Sequence, residues 1–293
     1  MRRLISTILL TLALPIAAAE LKVASLHPLL GDLAKQVGGD RVEVIDLIGQ
    51  NGDPHHFEPA AADLQKAGDA TLYLASGMGL ESYLGSLRGI LGNRAAIIEI
   101  GKDLPSIEGE CDHEGHDHDH HHEIDPHWWH SIDLFRRATT ITAAAFTEAD
   151  PTGAEVYSKN AAEYREKLDE LERWAKKQIA QIPRDRRHLA TAHAAFGYFC
   201  KDFGFEPISI QGLNREQMPD PKKLGSLINE LKEHKVGAIF PEKESNPKML
   251  QMLTKDTGIK LGKPLIADGS TIESYEQMIH HNVEAIVAGL KQP

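Results

Sequence analysis

The chain has 293 residues and a formal net charge of −11, with 43 acidic against 32 basic side chains. That balance excludes a protein whose work is to neutralise nucleic-acid phosphates. It also suits a soluble protein that handles cations, although surface charge is weak ground for that by itself.

The first segment is Met1-Arg2-Arg3, then an apolar run from Leu4 to Ile16, then Ala17-Ala18-Ala19. A basic start, an apolar middle and small residues at the end make a secretory signal peptide over residues 1–19. The apolar run is too short to span a bilayer, which takes roughly 20 residues. No Cys follows the small residues, so the sequence gives no site for a lipid anchor there. Loss of Arg2 and Arg3 takes the formal charge from −11 to −13. The remaining chain is long enough for one large domain or two modest ones.

Strand-like and helix-like segments then alternate. Leu21 to Ser25, Val42 to Ile48, Thr71 to Ala75 and Ala95 to Ile100 read as strands. Leu29 to Val37, closed by Gly38-Gly39, and Ala60 to Ala67 read as helices. Such alternation predicts a mainly parallel sheet covered by helices. Residues 20–150 are therefore an N-terminal α/β lobe. Its segment 108–123 differs in composition, with His113, His116, His118, His120, His121 and His122 among Asp, Glu and Gly. No core can form from it, so it reads as a loop with metal-collecting capacity.

From Pro151 to Ile182, Tyr157, Ala161, Tyr164, Leu168, Leu171, Ala175 and Ile179 fall three or four apart. That period is one apolar stripe on one long helix, closed by Pro183. Residues 151–183 thus form a rigid connector. Over 184–293 the alternation resumes as a second α/β lobe. Strands are expected at His188 to Ala192, Pro207 to Gln211, Val236 to Phe240 and Leu265 to Ala267. Helices are expected at Ala194 to Phe203, Lys222 to Lys235, Pro247 to Thr257 and Ile272 to Leu290.

Asp-Pro-His occurs twice, at Asp53-Pro54-His55 and Asp125-Pro126-His127. Proline stiffens the backbone that presents each histidine, which suits a metal ligand. A single copy would be an ordinary turn; two copies in a His-rich exported chain read as ligands. His193, in Thr191-Ala192-His193, and Asp268, in Ala267-Asp268-Gly269, each end a strand, where ligands of open α/β sheets bind. Taken alone, Asp268 would be a helix cap. Three imidazoles and one carboxylate make a tetrahedral Zn²⁺ set, two from each lobe.

The chain resembles the zinc-binding proteins of ABC importers, the ZnuA/AztC-type solute-binding family. The likeness rests on PHHFEP at Pro54 to Pro59, the His-rich loop, DPHWW, the long helix, TAHAAFGYF and ADGS, in the family's order. It implies two lobes joined by a rigid helix, with His55, His127, His193 and Asp268 as ligands. It also implies a membrane permease as partner, a periplasmic location and no enzymatic activity. Manganese-binding relatives carry a Glu where this chain has Gln211-Gly212-Leu213, and three imidazoles without it favour Zn²⁺. Where many relatives have Leu-Asp after DPHxW, this chain has His130-Ser131. That leaves Glu58 or His130 as the expected support of His127. His56 is expected to face solvent or the loop.

The remaining expectations are a Cys111–Cys200 disulfide, a periplasmic zinc chaperone as a further partner, no nucleic acid and a monomeric chain. Three other readings use the same residues: a manganese or iron binder of the same fold, a stand-alone zinc buffer, and an exported zinc hydrolase. The hydrolase is disfavoured by Asp268 in the fourth position and by the lack of an HExxH motif.

Overall fold

The structure, a computed structural model, describes residues 21–49, 52–109, 123–213, 220–242 and 247–291. The signal segment, Cys111 and all six loop histidines lie outside the described residues, and the Cys111–Cys200 bridge lies outside them too.

The first sheet holds β1 (Leu21–Ser25), β2 (Val42–Asp46), β3 (Leu72–Ala75) and β4 (Ala96–Glu99) in the order β2-β1-β3-β4. All three pairings are parallel, with Val23 opposite both Val44 and Leu72. Its helices are α1 (Pro28–Gly38), α2 (Ala61–Ala67) and α3 (Leu84–Leu91). Successive side chains on a strand face opposite ways. Val23, Leu72 and Leu74 accordingly enter one core with α1, while Ala24, Tyr73 and Ala75 enter another with α3.

Two helices connect the sheets, α4 (Ile132–Ala149) and α5 (Ala154–Ile179). Every apolar position of the predicted stripe on α5 is buried. At 1.5 Å per residue, its 26 residues span about 39 Å. Helix α4 is added by the structure. Its apolar stripe is thin because Thr139 and Thr142 sit on the buried face, where their hydroxyls donate to the carbonyls of Phe135 and Ala138. Threonine can be buried in a helix by such back-bonding, at the cost of a weaker periodic signal. Helix α3 is likewise added.

The second sheet holds β5 (His188–Thr191), β6 (Glu206–Ser209), β7 (Ala238–Phe240) and β8 (Lys260–Leu261), ordered β6-β5-β7-β8 and parallel throughout. Its helices are α6 (Gly197–Phe203), α7 (Pro221–Glu233), α8 (Pro247–Thr257) and α9 (Tyr275–Leu290). Two expectations are corrected. The fourth strand is Lys260–Leu261, and Leu265 makes only an isolated bridge to Glu242. Helix α6 begins at Gly197, not Ala194, because the amide of Ala194 bonds the carbonyl of Gly212 and holds the chain in a turn.

One apolar core runs through both halves. It includes Val23 and Leu74 of the first sheet, Leu189 and Phe240 of the second, and the inner faces of α1, α4, α5 and α9. Within it, Phe135 stacks on Tyr275 with ring centroids 3.6 Å apart and planes 2° from parallel. The Tyr275 amide donates to the buried carboxylate of Asp32 on α1.

Candidate metal centre

Four side chains meet where the strand ends of the two sheets face each other. His55, His127, His193 and Asp268 each direct one donor atom into a common space, with all four atoms within 4.8 Å of one another. His127 Nε2 lies 3.1 Å from His55 Nε2, and Asp268 Oδ1 lies 3.6 Å from His55 Nε2 and 4.0 Å from His127 Nε2. Donors bound at zinc distances in a tetrahedron stand about 3.3 Å apart. The observed spacings bracket that value, so the arrangement is close to a ligand shell without rearrangement.

Each donor is set by local chemistry. In the first Asp-Pro-His, Asp53 Oδ1 accepts the His55 amide at 2.9 Å, and the Asp53 carbonyl accepts the amides of His56 and Phe57. In the second, Asp125 Oδ1 accepts the His127 amide at 2.9 Å. Both are the short turns that Asp forms with the backbone two residues on. The second turn does more, because Asp125 Oδ1 also lies 2.8 Å from His127 Nδ1. An Nδ1–H held there leaves the Nε2 lone pair aimed at the centre.

His193 follows β5. Its amide and its Nδ1 both bond the carboxylate of Glu242, which follows β7. Glu242 therefore fixes both the backbone and the ring of His193. Asp268 does not cap α9, because Ser274 does so by accepting from Gln277. Asp268 is followed by Gly269 at φ +74, where a Cβ would lie 2.6 Å from Leu29 Cγ. A larger residue there would push Asp268 away from α1.

Aromatic rings close the centre on one side. Trp129 Nε1 and His130 Nε2 both donate to the carbonyl of Ala267 at 2.8 Å, so the first half grips the residue before Asp268. His130 stacks near Phe196, with centroids 4.3 Å apart. His27 caps α1 by accepting from the Leu29 amide and tilts against Trp129 at 4.4 Å. A groove lined in part by His55, Met78, Leu104, Ile124 and Leu213 reaches the centre at His55.

Burial governs the protonation states. It holds His127 well below the usual imidazole range, with the neighbouring His55 and His193 adding to the effect. Burial likewise takes His130 down to about 4 and His27 to about 3. Neutral imidazole is the form that binds metal. Burial pushes Asp125 up to about 7. Burial also opposes ionisation of Glu242, but the charge and hydrogen bonds of His193 outweigh it and hold that carboxyl below its usual range.

All four sequence-derived ligands thus come together. The expected supports of His127 are corrected: Glu58 is exposed, and Asp125 occupies the place against the ring. His130 is buried and its ring bonds the Ala267 carbonyl, while its amide donates to the His127 carbonyl at 3.2 Å. His56 is exposed and lies 3.0 Å from Asp53 Oδ2. Glu242 was missed, although it carries the signal that found His193 and Asp268, namely a polar residue just past an apolar strand. Cys200 is buried on α6.

Comparison with known proteins gives a consistent set of likenesses. The model of the family described as zinc-uptake complex component A, periplasmic, matches residues 23–289. The manganese-binding lipoprotein MntA of Bacillus subtilis is 32% identical over 291 residues, covering 94% of this chain and 91% of the relative. The manganese ABC transporter substrate-binding lipoprotein PsaA of Streptococcus anginosus is 26% identical, covering 93% and 90%. Among solved structures, the periplasmic zinc binding protein TroA of Treponema pallidum superposes with a TM-score of 0.81 at 25% identity, covering 93% of this chain and 99% of that one.

Proposed function

The chain belongs to the family of periplasmic zinc-uptake complex component A and is a metal-binding component of an ABC importer; from that premise we propose that its cargo is Zn²⁺, held by His55, His127, His193 and Asp268. The observation that carries this reading is the donor set, three imidazole nitrogens and one carboxylate oxygen within 4.8 Å of one another. Zinc takes four such ligands readily, whereas manganese prefers oxygen-rich, higher-coordinate sites. With Asp268 in the fourth place, no position is left for an activated water, so the chain is a binding protein and not an enzyme.

Export by residues 1–19 and handover to a membrane permease complete the reading. Among the described residues, no helix is long and apolar enough to cross a membrane. A periplasmic zinc chaperone is the further partner we propose, and the chain acts as a monomer. The histidines of 113–122 serve as auxiliary collectors. What supports this role is their attachment: the Gly109 amide donates to the Glu123 carbonyl at 2.7 Å, and Glu123 and Ile124 border the groove beside His55.

A second reading, manganese as cargo, is favoured by MntA of Bacillus subtilis and PsaA of Streptococcus anginosus, which are manganese-binding and manganese-transporter lipoproteins. Calorimetric titration of metal-free protein with Zn²⁺ and Mn²⁺, beside a variant lacking residues 113 to 122, separates the two. One tight zinc-preferring site that survives loop removal is expected. Preference for Mn²⁺ would sink the zinc reading, and loss of the tight site with the loop would sink the ligand assignment.

A further inference from the structure

A second group of donors lies at the other end of the second sheet. His188 opens β5, and its parallel partner in the register is Glu206, which opens β6. At 3.3 Å per residue, the five positions from His188 to His193 place this group about 16 Å from the cleft. The two-residue period puts His188 on the face of Ala190, and Glu206 on the face of Ile208. That face packs against Leu227 and Leu231 of α7. His234 stands three residues beyond Leu231 at the end of α7, so it continues the same helix face. Lys235 then turns the chain at φ 49. The topology therefore delivers two imidazoles and a carboxylate to one corner.

The geometry is tight. The rings of His188 and His234 are 4.5 Å apart between centroids and tilted by 41°. Glu206 Oε2 lies 3.1 Å from His188 Nδ1, and one donor atom from each of the three residues falls within 4.8 Å of the others. His188 Nδ1 is shielded from solvent yet makes no hydrogen bond of good geometry among the described residues. The nearby Arg187 is occupied elsewhere, donating to the carbonyls of Ile182, Phe203 and Ile179.

We propose that His188, Glu206 and His234 form a second cation site, which takes Zn²⁺ or a divalent first-row ion of similar ligand preference through two imidazole nitrogens, one carboxylate oxygen and water. Two imidazoles with one carboxylate are a donor set such ions accept. Three protein ligands at a partly exposed corner hold metal more weakly than four in a buried centre, so this site exchanges metal readily. It depends on no feature of the cleft.

Zinc-edge anomalous diffraction from crystals of the full mature chain grown with excess Zn²⁺ tests it. A peak between the two rings and the Glu206 carboxylate is expected, in addition to one in the cleft. In native mass spectrometry, His234→Ala and Glu206→Gln are each expected to bind one Zn²⁺ fewer than the unaltered chain at equal free zinc, with cleft affinity unchanged. His234 is only partly buried and Glu206 is exposed, so neither change threatens the fold. No peak at this corner, or a zinc count in both variants equal to that of the unaltered chain, would overturn the proposal.

Discussion

The two Asp-Pro-His turns share a tripeptide and a backbone hydrogen bond, yet they differ in what the aspartate does next. Asp125 reaches the ring of His127 and is buried with it. Asp53 reaches the ring of His56, which is exposed, and its bond to His55 is made to the amide. His127 is wholly buried, whereas the His55 side chain keeps 9% of its surface at the groove. One sequence motif thus makes a locked ligand and a more accessible one. Burial of the turn, not the tripeptide, decides which is made.

Substitutions in the two turns can break this comparison. Removing a ligand must cost at least what removing its support costs, which is typically 10–100-fold in metal affinity. His127→Ala is therefore expected to lose about 100-fold or more by calorimetry, and a loss of only a few-fold would remove it from the ligand set. Asp125→Asn keeps the backbone bond but weakens the acceptor for Nδ1–H, so a loss of about 10–100-fold is expected.

A pH series sharpens the same contrast. Bound metal makes the His127 Nδ1–H more acidic, so binding favours the ionised form of Asp125. Because burial places that carboxyl at about 7 in the metal-free protein, affinity in the unaltered chain should rise with pH up to about 7 and level off above it. In Asp125→Asn the extra slope should vanish, and an unchanged slope would show that another group is responsible. The smallest effect belongs to Asp53→Asn, which keeps an acceptor for the His55 amide and alters the contact with His56. Less than a roughly 3-fold change is expected, well under the loss for a ring support. A loss equal to that of Asp125→Asn would mean the two turns work alike.

Much of this was legible in the sequence because punctuation marks it. Proline before His55 and His127, and strand ends before His193 and Asp268, single out positions where a side chain leaves regular structure. The apolar stripe of α5 was equally plain. Helix α4 was not, because buried threonines on its inner face blur the period. Strand β8 has two residues, both exposed, and offers no pattern at all. The pairing of His193 with Glu242 joins residues 49 apart in sequence, which only the alignment of β5 beside β7 creates. Partners of this kind arise from register, and a single chain read in order does not display its register.

The core shared by both halves also limits what an importer can sense. Swinging the halves apart would unstack Phe135 from Tyr275 and wet the surrounding apolar side chains, at about 1.5–3 kcal/mol for each large one exposed. A coordination shell that is already assembled gives little return for such an opening. Loaded and empty protein should therefore have nearly the same outline. A permease that tells them apart must read fine relief and charge at the groove mouth around His55, much as a finger reads raised type on a page whose shape never changes.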